Sequence, residues 1–248
     1  MALPLYLALT AAEFQNCSHL PEHTAWMACH YSPYGLGLSN IPSQLPEEAM
    51  VILNDRTPPQ GHDPELIVRQ LRELADVLHY KYILLDFQRP GLPENTAVAK
   101  ALVAAALCPI GVSELYAREL DAPVFLPPVP PHVPLREYLA PWQGREIWLE
   151  AALGGEVITV TEKGSSRSPL ASMEVPETAQ EDPVLHCHYH IRTFDNHIDF
   201  TLWRTEDDLS KLLQQAEDLG ISKAVGLWQE VNPPAMNLSH KNNKNRSA

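Results

Sequence analysis

An acid, an amide and a guanidinium follow a short apolar run near the middle of the chain. Residues 82–85 have the length and bulk of a buried parallel strand, and Asp86, Gln88 and Arg89 come directly after them. Residues two apart on a strand share a face, so Asp86 and Gln88 should point the same way. Ligand sites of parallel α/β folds lie at the carboxyl ends of the strands, which makes these three residues site candidates.

The chemistry of this group depends on which side chain can give up a proton. A carboxyl group can orient a substrate or transfer a proton, but the carboxamide of Gln88 has no transferable proton at ordinary pH. The fixed charge of Arg89 favours the ionised form of nearby carboxyls. The group is therefore suited to binding more than to acid catalysis by Gln88.

The segment Asp86-Phe87-Gln88-Arg89-Pro90 resembles part of a known motif. Family-18 glycosidases, the chitinase-like barrels, carry D-x-x-D-x-D-x-E on their fourth strand, commonly continuing as D-W-E-Y-P. In this register the last aspartate of the motif is Asp86 and its proline is Pro90. The acid-base glutamate falls on Gln88, and the two earlier acids fall on Lys81 and Leu84.

The resemblance implies a (β/α)8 barrel and a mechanism in which a glutamate protonates the glycosidic oxygen. The substrate's acetamido group attacks, and the aspartate two residues upstream orients it. Asp86 would keep that orienting role, whereas Gln88 cannot be the acid. The resemblance thus implies a non-hydrolytic barrel that binds a glycan or a peptidoglycan fragment. Two alternatives stay open: a glycoside hydrolase that uses Glu114 or Glu150 as its acid, and a structural or interaction protein.

The order of the predicted elements supports the same fold. Strands are predicted at residues 3–9, 24–29, 50–54, 82–85, 109–113, 122–126, 146–150 and 223–228. Helices with one apolar face are predicted at 63–78 and 94–107, between strands. We therefore predict a single TIM (β/α)8 barrel over residues 1–231.

A small antiparallel α+β insertion is predicted at about residues 154–204, after the seventh strand. Its strands would cover 156–161, 186–192 and 197–203, and a helix capped by Thr205 would follow. Many family-18 enzymes insert such a module at this point and end the eighth strand on a tryptophan beneath the sugar. The resemblance therefore implies that Trp228 binds substrate. Residues 232–248 have the composition of a disordered polar tail.

Other candidate site residues follow from their positions at predicted strand exits. Five acids could converge there as a carboxylate set: Glu13, Asp55, Asp86, Glu114 and Glu150. Two tyrosines could stack on a sugar, Tyr31 and Tyr34. The alternatives are that the acids cap helices or pair with Arg56 or Arg89, and that the tyrosines close the top of the core. The predicted substrate-binding set is Tyr31, Tyr34, Asp55, Arg89 and Trp228.

Alternating histidines mark the predicted insertion. His186, His188 and His190 would share one face of a strand, as zinc or nickel ligands can. No cysteine or acid has matching motif spacing, and a solvated or partly packed strand face explains the pattern better. We predict no metal site and no cofactor.

The composition of the chain argues against two classes of partner, nucleic acids and membranes. The 248 residues are 45% hydrophobic with a formal net charge of −13 and no basic patch before the tail, which argues against nucleic-acid binding. No apolar run reaches the ~20 residues of a membrane span. The four cysteines are widely spaced, and the apolar first residues lack a positive flank, so a first strand and a cytoplasmic location are expected. The oligomeric state stays open.

Overall fold

The computed structural model describes residues 3–59, 61–170 and 176–231. The tail predicted at 232–248 lies outside the described residues. Fourteen strands are present in this part of the chain: β1 (Leu5–Leu9), β2 (Thr24–Tyr31), β3 (Leu38–Ser39), β4 (Met50–Asn54), β5 (Tyr82–Asp86), β6 (Ile110–Ser113), β7 (Val124–Leu126), β8 (Ile147–Ala151), β9 (Gly155–Thr161), β10 (Gly164–Pro169), β11 (Gln180–Asp182), β12 (Cys187–Thr193), β13 (His197–Trp203) and β14 (Lys223–Leu227).

Six α-helices lie between these strands: α1 (Ala11–Asn16), α2 (Pro64–Leu78), α3 (Pro93–Ala105), α4 (Glu114–Ala117), α5 (Leu135–Leu139) and α6 (Glu206–Asp218). Helix α2 begins at Pro64 because Asp63 caps it, accepting the Glu65 N–H at 3.0 Å. Helix α6 begins with a reciprocal capping box between Thr205 and Asp208. None of these helices is long and apolar enough to cross a bilayer.

Eight parallel strands close into a barrel in the order β1-β14-β8-β7-β6-β5-β4-β2, and β1 pairs with β2 to complete the ring. Strand β3 adds an antiparallel edge to β2. A separate antiparallel sheet, β10-β9-β13-β12-β11, follows the seventh barrel strand, β8. The predicted TIM barrel with an antiparallel insertion after its seventh strand is confirmed.

The strands bury both faces, which explains their continuous apolar sequences. One face packs outward against the helices through residues such as Leu7, Leu53 and Leu85. The other face fills the barrel interior with a smaller cluster: Tyr6, Ala8, Ala25, Met50, Ile52, Leu84, Phe125, Trp148 and Val225.

Trp148 is fully buried and forms much of the barrel floor. It fits because β6 has a glycine opposite it: a Cβ on Gly111 would collide with the Trp148 ring. Lys223 pairs with Trp148 in register and lies over the rings of Tyr82 and Trp148, 4.4 and 4.8 Å from their centroids, at the same amino-terminal end of the barrel.

A β-bulge changes which side chains of β2 face the interior. Trp26 is opposite Val51 and Cys29 is opposite Leu53, so two residues of β2 lie opposite the single Ile52. The Asn54 side-chain amide stabilises the bulge by donating to the carbonyls of Met27 and Cys29, at 3.0 Å each. After the bulge His30 faces the interior, and Tyr31 faces outward.

The insertion has the predicted bounds, but its sheet has five strands where the sequence predicted three. The two additional strands, β10 and β11, lie at the edges of the sheet, between the first and second predicted strands in the sequence. Glycine, serine and proline are weak strand formers. Backbone pairing with β9 and β12, and not local preference, therefore determines the conformation of β10 and β11.

A buried arginine ties the insertion to the barrel. The side chain of Arg204, only 4% exposed, donates to the backbone carbonyls of Val129 and Pro130 in the proline-rich segment. It also donates to the carbonyls of Leu185 and His186 in the insertion.

Candidate active site

A cavity of about 710 Å³ opens at the carboxyl ends of the barrel strands. Its volume lies within the usual range for small-molecule sites. The floor and part of the wall are apolar: Ala8, Met27, Ile52, Leu84, Phe125 and Val225. Polar and charged side chains surround the opening: Thr10, His30, Asn40, Asn54, Asp55, Arg56, Asp86, Gln88, Arg89 and Glu150.

Asp86 and Gln88 both line the cavity, as the alternation of a strand predicts. The Gln88 side-chain amide donates a hydrogen bond to Oδ1 of Asp86. Phe87 between them points the other way and is fully buried against Tyr31 and Tyr116. Burial raises the pKa of Asp86, the Gln88 hydrogen bond lowers it, and the charge of Asp55 raises it.

Asp55 is a structural acceptor and is only 2% exposed. Its carboxylate accepts the backbone N–H groups of Gln88 and Arg89, each at 3.0 Å, and the side-chain amide of Asn95 at 2.9 Å. These bonds join the end of β4 to the end of β5. Asp55 was predicted to bind substrate, but its hydrogen-bonding capacity is used to fix the loop that carries Gln88 and Arg89.

Arg89 lines the cavity, and its guanidinium group donates to backbone carbonyl groups. Its Nε donates to the carbonyl of Asp55 at 3.0 Å, and one Nη donates to the carbonyl of Arg56 at 3.1 Å. The Tyr116 hydroxyl donates to the Arg89 carbonyl and accepts the Leu92 N–H at 3.3 Å. Hydrogen bonds to its backbone therefore hold the loop after β5 in place.

Glu150 reaches the same cavity from β8. Burial raises its pKa, and the negative charges of Asp86 and Glu230 raise it further, to about 7. A carboxyl group with such a pKa is partly protonated near neutral pH, which is the property that a general acid needs. Of the two residues predicted as alternative acids, Glu114 and Glu150, only Glu150 lines the cavity.

Tyr31 was predicted at the mouth, but it is fully buried outside the barrel wall. Its ring packs on His62 and Phe87, and its hydroxyl donates to Oδ1 of Asn95 at 3.2 Å. The cause is the β2 bulge, which shifts the alternation by one residue and brings His30 to the position that Tyr31 would otherwise take.

Three further predicted residues do not line the cavity. Tyr34 lies in a turn, 94% exposed, with a left-handed φ of 63°. Trp228 follows the last barrel strand, and its ring packs on the outer core, because the alternation of β14 leaves Val225 and Leu227 facing inward. Glu114 begins α4. Burial raises the pKa of the Tyr138 phenol, and the negative charges of Glu114 and Glu150 raise it further.

Glu13, the fifth acid of the predicted carboxylate set, caps its own helix. It is the third residue of α1 and accepts the Thr10 N–H and hydroxyl, each at 2.8 Å. Of the five acids, only Asp55, Asp86 and Glu150 line the cavity.

Sequence reasoning did not select His30 and Asn40 as site residues, although both line the cavity. His30 Nδ1 lies 2.7 Å from the Tyr31 carbonyl, which can only accept, so Nδ1 carries the proton. Its Nε2 then accepts from the Asn40 amide at 3.0 Å. No sequence signal reveals these residues, because their positions depend on the bulge and on the short β3 hairpin.

The alternating histidines do not converge on one point. His186 precedes β12 with a left-handed φ of 48°, so it does not continue the strand face. His188 Nδ1 lies 2.7 Å from Oδ2 of the buried Asp208, and His190 Nδ1 lies 3.1 Å from the Thr178 hydroxyl. Within the described ranges, no three His, Cys, Asp or Glu side chains are placed to hold a metal ion.

No protein-family model and no curated protein matches the sequence. Solved structures do match the fold. A chitinase-like agglutinin from Robinia pseudoacacia superposes with a TM-score of 0.61 at 10% identity, covering 94% of this chain and 98% of the agglutinin. A mutant family-18 chitinase from Cycas revoluta, in complex with (GlcNAc)4, gives 0.56 at 12% identity, covering 96% and 98%.

The spore cortex-lytic enzyme SleL from Bacillus cereus is a third similar structure. Its TM-score is 0.53 at 12% identity, over 91% of this chain and 70% of SleL. At identities this low, the similarity concerns the arrangement of the strands and helices.

Proposed function

We propose that this chitinase-like barrel binds a glycan containing β-linked N-acetylglucosamine at its mouth and does not cleave it by the family-18 reaction. The observation that carries the proposal is Gln88. It lies in the cavity, bonded to Asp86, where the resemblance requires a proton-donating glutamate. An amide cannot protonate a leaving oxygen, whereas it can hydrogen-bond a sugar.

The orientation of the Gln88 amide supports a binding role. Its NH₂ group donates to the Asp86 carboxylate, so its carbonyl oxygen is directed elsewhere and is available as an acceptor. Sugar hydroxyls and acetamido N–H groups are donors that such an oxygen accepts. The apolar surfaces of Leu84 and Phe125 below can pack against the face of a sugar ring.

Two of the similar structures are consistent with a barrel that binds a glycan without cleaving it. One is named an agglutinin. The other is a mutant chitinase in which one substitution replaces a glutamate by glutamine, and it was solved with a bound tetrasaccharide.

Calorimetric titration with (GlcNAc)4 tests the proposal. We expect binding to the wild type and loss of binding in Ala12→Trp, because Ala12 is exposed and lines the cavity. The matched control is Ala104→Trp, at an exposed position on α3 away from the cavity. Equal affinity of both variants, or no binding by the wild type, would contradict the proposal.

A second function, hydrolysis with Glu150 as the acid, is favoured by one observation: burial and nearby charges bring the pKa of Glu150 to about 7. This function predicts turnover of a fluorogenic chitobioside by the wild type, with a rate that falls as the pH rises above about 7. Glu150→Gln would abolish the turnover and retain (GlcNAc)4 binding. An inactive wild type excludes this second function.

A further inference from the structure

Arg56 and Arg89 lie on one side of the barrel mouth, together with Asp55 and Asp86, and Glu150 lies on the other. Arg56 and Arg89 follow β4 and β5, which are neighbours in the barrel. Glu150 and Glu230 belong to β8 and to the segment after β14, which are also neighbours. The strand order of the closed barrel places these two pairs of strands on opposite sides of the ring. A ligand in the cavity therefore meets two guanidinium groups on one side and the Glu150 carboxyl group on the other.

Neither guanidinium forms an ion pair with any residue that the structure describes. The Arg89 guanidinium donates only to the carbonyls of Asp55 and Arg56, which orient it without neutralising it. A guanidinium has five N–H donors, so others remain available to a ligand. The Arg56 side chain is exposed and makes no hydrogen bond within the described ranges.

The nearby acids do not account for these two charges. The Asp55 carboxylate is bonded by two backbone N–H groups and by Asn95, and Asp86 is bonded by the neutral amide of Gln88. The chain has 31 acidic residues and only 18 lysines and arginines. Acidic partners are therefore in excess, and arginines without an ion pair are unexpected. Two of them facing one cavity fit the recognition of an anion, for which planar guanidinium groups are well suited.

We infer that the glycan bound by this protein carries a carboxylate, and that Arg56 and Arg89 bind that group at the β4–β5 side of the mouth. The inference rests on the proposed function and narrows its ligand class. The carboxylate would lie across the cavity from Glu150, while neutral hydroxyl and acetamido groups would face Asp86, Gln88 and Glu150. Either a lactyl ether on an amino sugar or a uronic acid supplies this chemistry.

Calorimetry with four probes tests the inference: the disaccharide N-acetylglucosaminyl-N-acetylmuramic acid, its carboxyl methyl ester, chitobiose and a hyaluronan tetrasaccharide. We expect the muramic disaccharide or the uronate-containing tetrasaccharide to bind at least about tenfold more tightly than the neutral probes. Whichever acid binds more tightly identifies the source of the carboxylate. The preference should decrease with rising salt concentration, since the arginines are near the surface.

Arg56→Gln should remove the preference and leave the affinity for the neutral probes unchanged. The matched control is Arg72→Gln, at an exposed position on α2 outside the cavity. Equal affinities for acid and ester, with chitobiose bound, would overturn the inference and leave the proposed function intact. Failure of all four probes to bind would instead contradict the proposed function. Loss of affinity for acid and neutral probes alike in Arg56→Gln would also overturn the assignment of Arg56.

Discussion

The Gln88 amide and the Asp86 carboxylate are hydrogen-bonded at the mouth of the barrel, with the amide as donor. Their spacing is that of the aspartate and the glutamate of the family-18 motif, and the strand presents both to the same cavity. In the register that the resemblance implies, an amide without a transferable proton takes the place of the acid.

Gln88→Glu should introduce turnover of a fluorogenic chitobioside. The substitution exchanges an NH₂ group for an oxygen and supplies the missing acid, a group that contributes ~10²- to 10⁴-fold in rate. The control is Gln88→Met, which has similar length and no acidic proton and should stay inactive. If Gln88→Glu binds (GlcNAc)4 and remains inactive, the alignment of Gln88 with the family's acid is wrong.

Glu150 should make the folded protein less stable as the pH rises. Its pKa is about 7 in the folded state and near 4.5 when unperturbed. Between these values the folded state holds a proton that the unfolded state has lost, so stability falls by up to about 1.4 kcal/mol per pH unit. Urea unfolding at several pH values should show a smaller decline for Glu150→Gln than for the wild type. Parallel pH profiles would contradict the raised pKa.

Asp55→Ala should destabilise the protein by about 3 kcal/mol or more. The substitution leaves the N–H groups of Gln88 and Arg89 and the amide of Asn95 without their acceptor in a buried site. The control is Asp63→Ala, which removes an exposed helix cap and should cost about 1 kcal/mol. Chemical unfolding measures both, and equal losses would refute the role assigned to Asp55.

Gly111→Ala should cost about 2 kcal/mol or more, because its Cβ would collide with the Trp148 ring in the barrel floor. Trp148→Phe alone should also destabilise by leaving a cavity. The double variant should be less destabilised than the sum of the two, since the smaller ring leaves space for the added methyl group. Strict additivity would show that the two residues do not compete for the same volume.

The fold was predictable because the barrel strands and the long helices carry strong patterns. Continuous apolar runs such as residues 82–85 mark strands buried on both faces, and the signals at Asp63 and Thr205 mark two helix starts. The position of Asp86 and Gln88 followed from simple strand alternation.

Several site residues could not be predicted because their orientation depends on contacts distant in sequence. The bulge in β2 depends on the Asn54 amide from the next barrel strand, and it exchanges the expected positions of His30 and Tyr31. Trp228 was assigned to the site from the family pattern, but β14 ends one residue earlier, at Leu227. The buried role of Asp55 likewise depends on the loop 33 residues later in the chain.

Native mass spectrometry of the wild-type protein incubated with (GlcNAc)4 tests the central claim most directly, because it reports binding and cleavage together. We predict a one-to-one complex whose mass includes the intact tetrasaccharide and which persists through prolonged incubation. The same complex should be absent in Ala12→Trp. Shorter sugars appearing in solution or on the protein, or the absence of any complex with the wild type, would contradict the account.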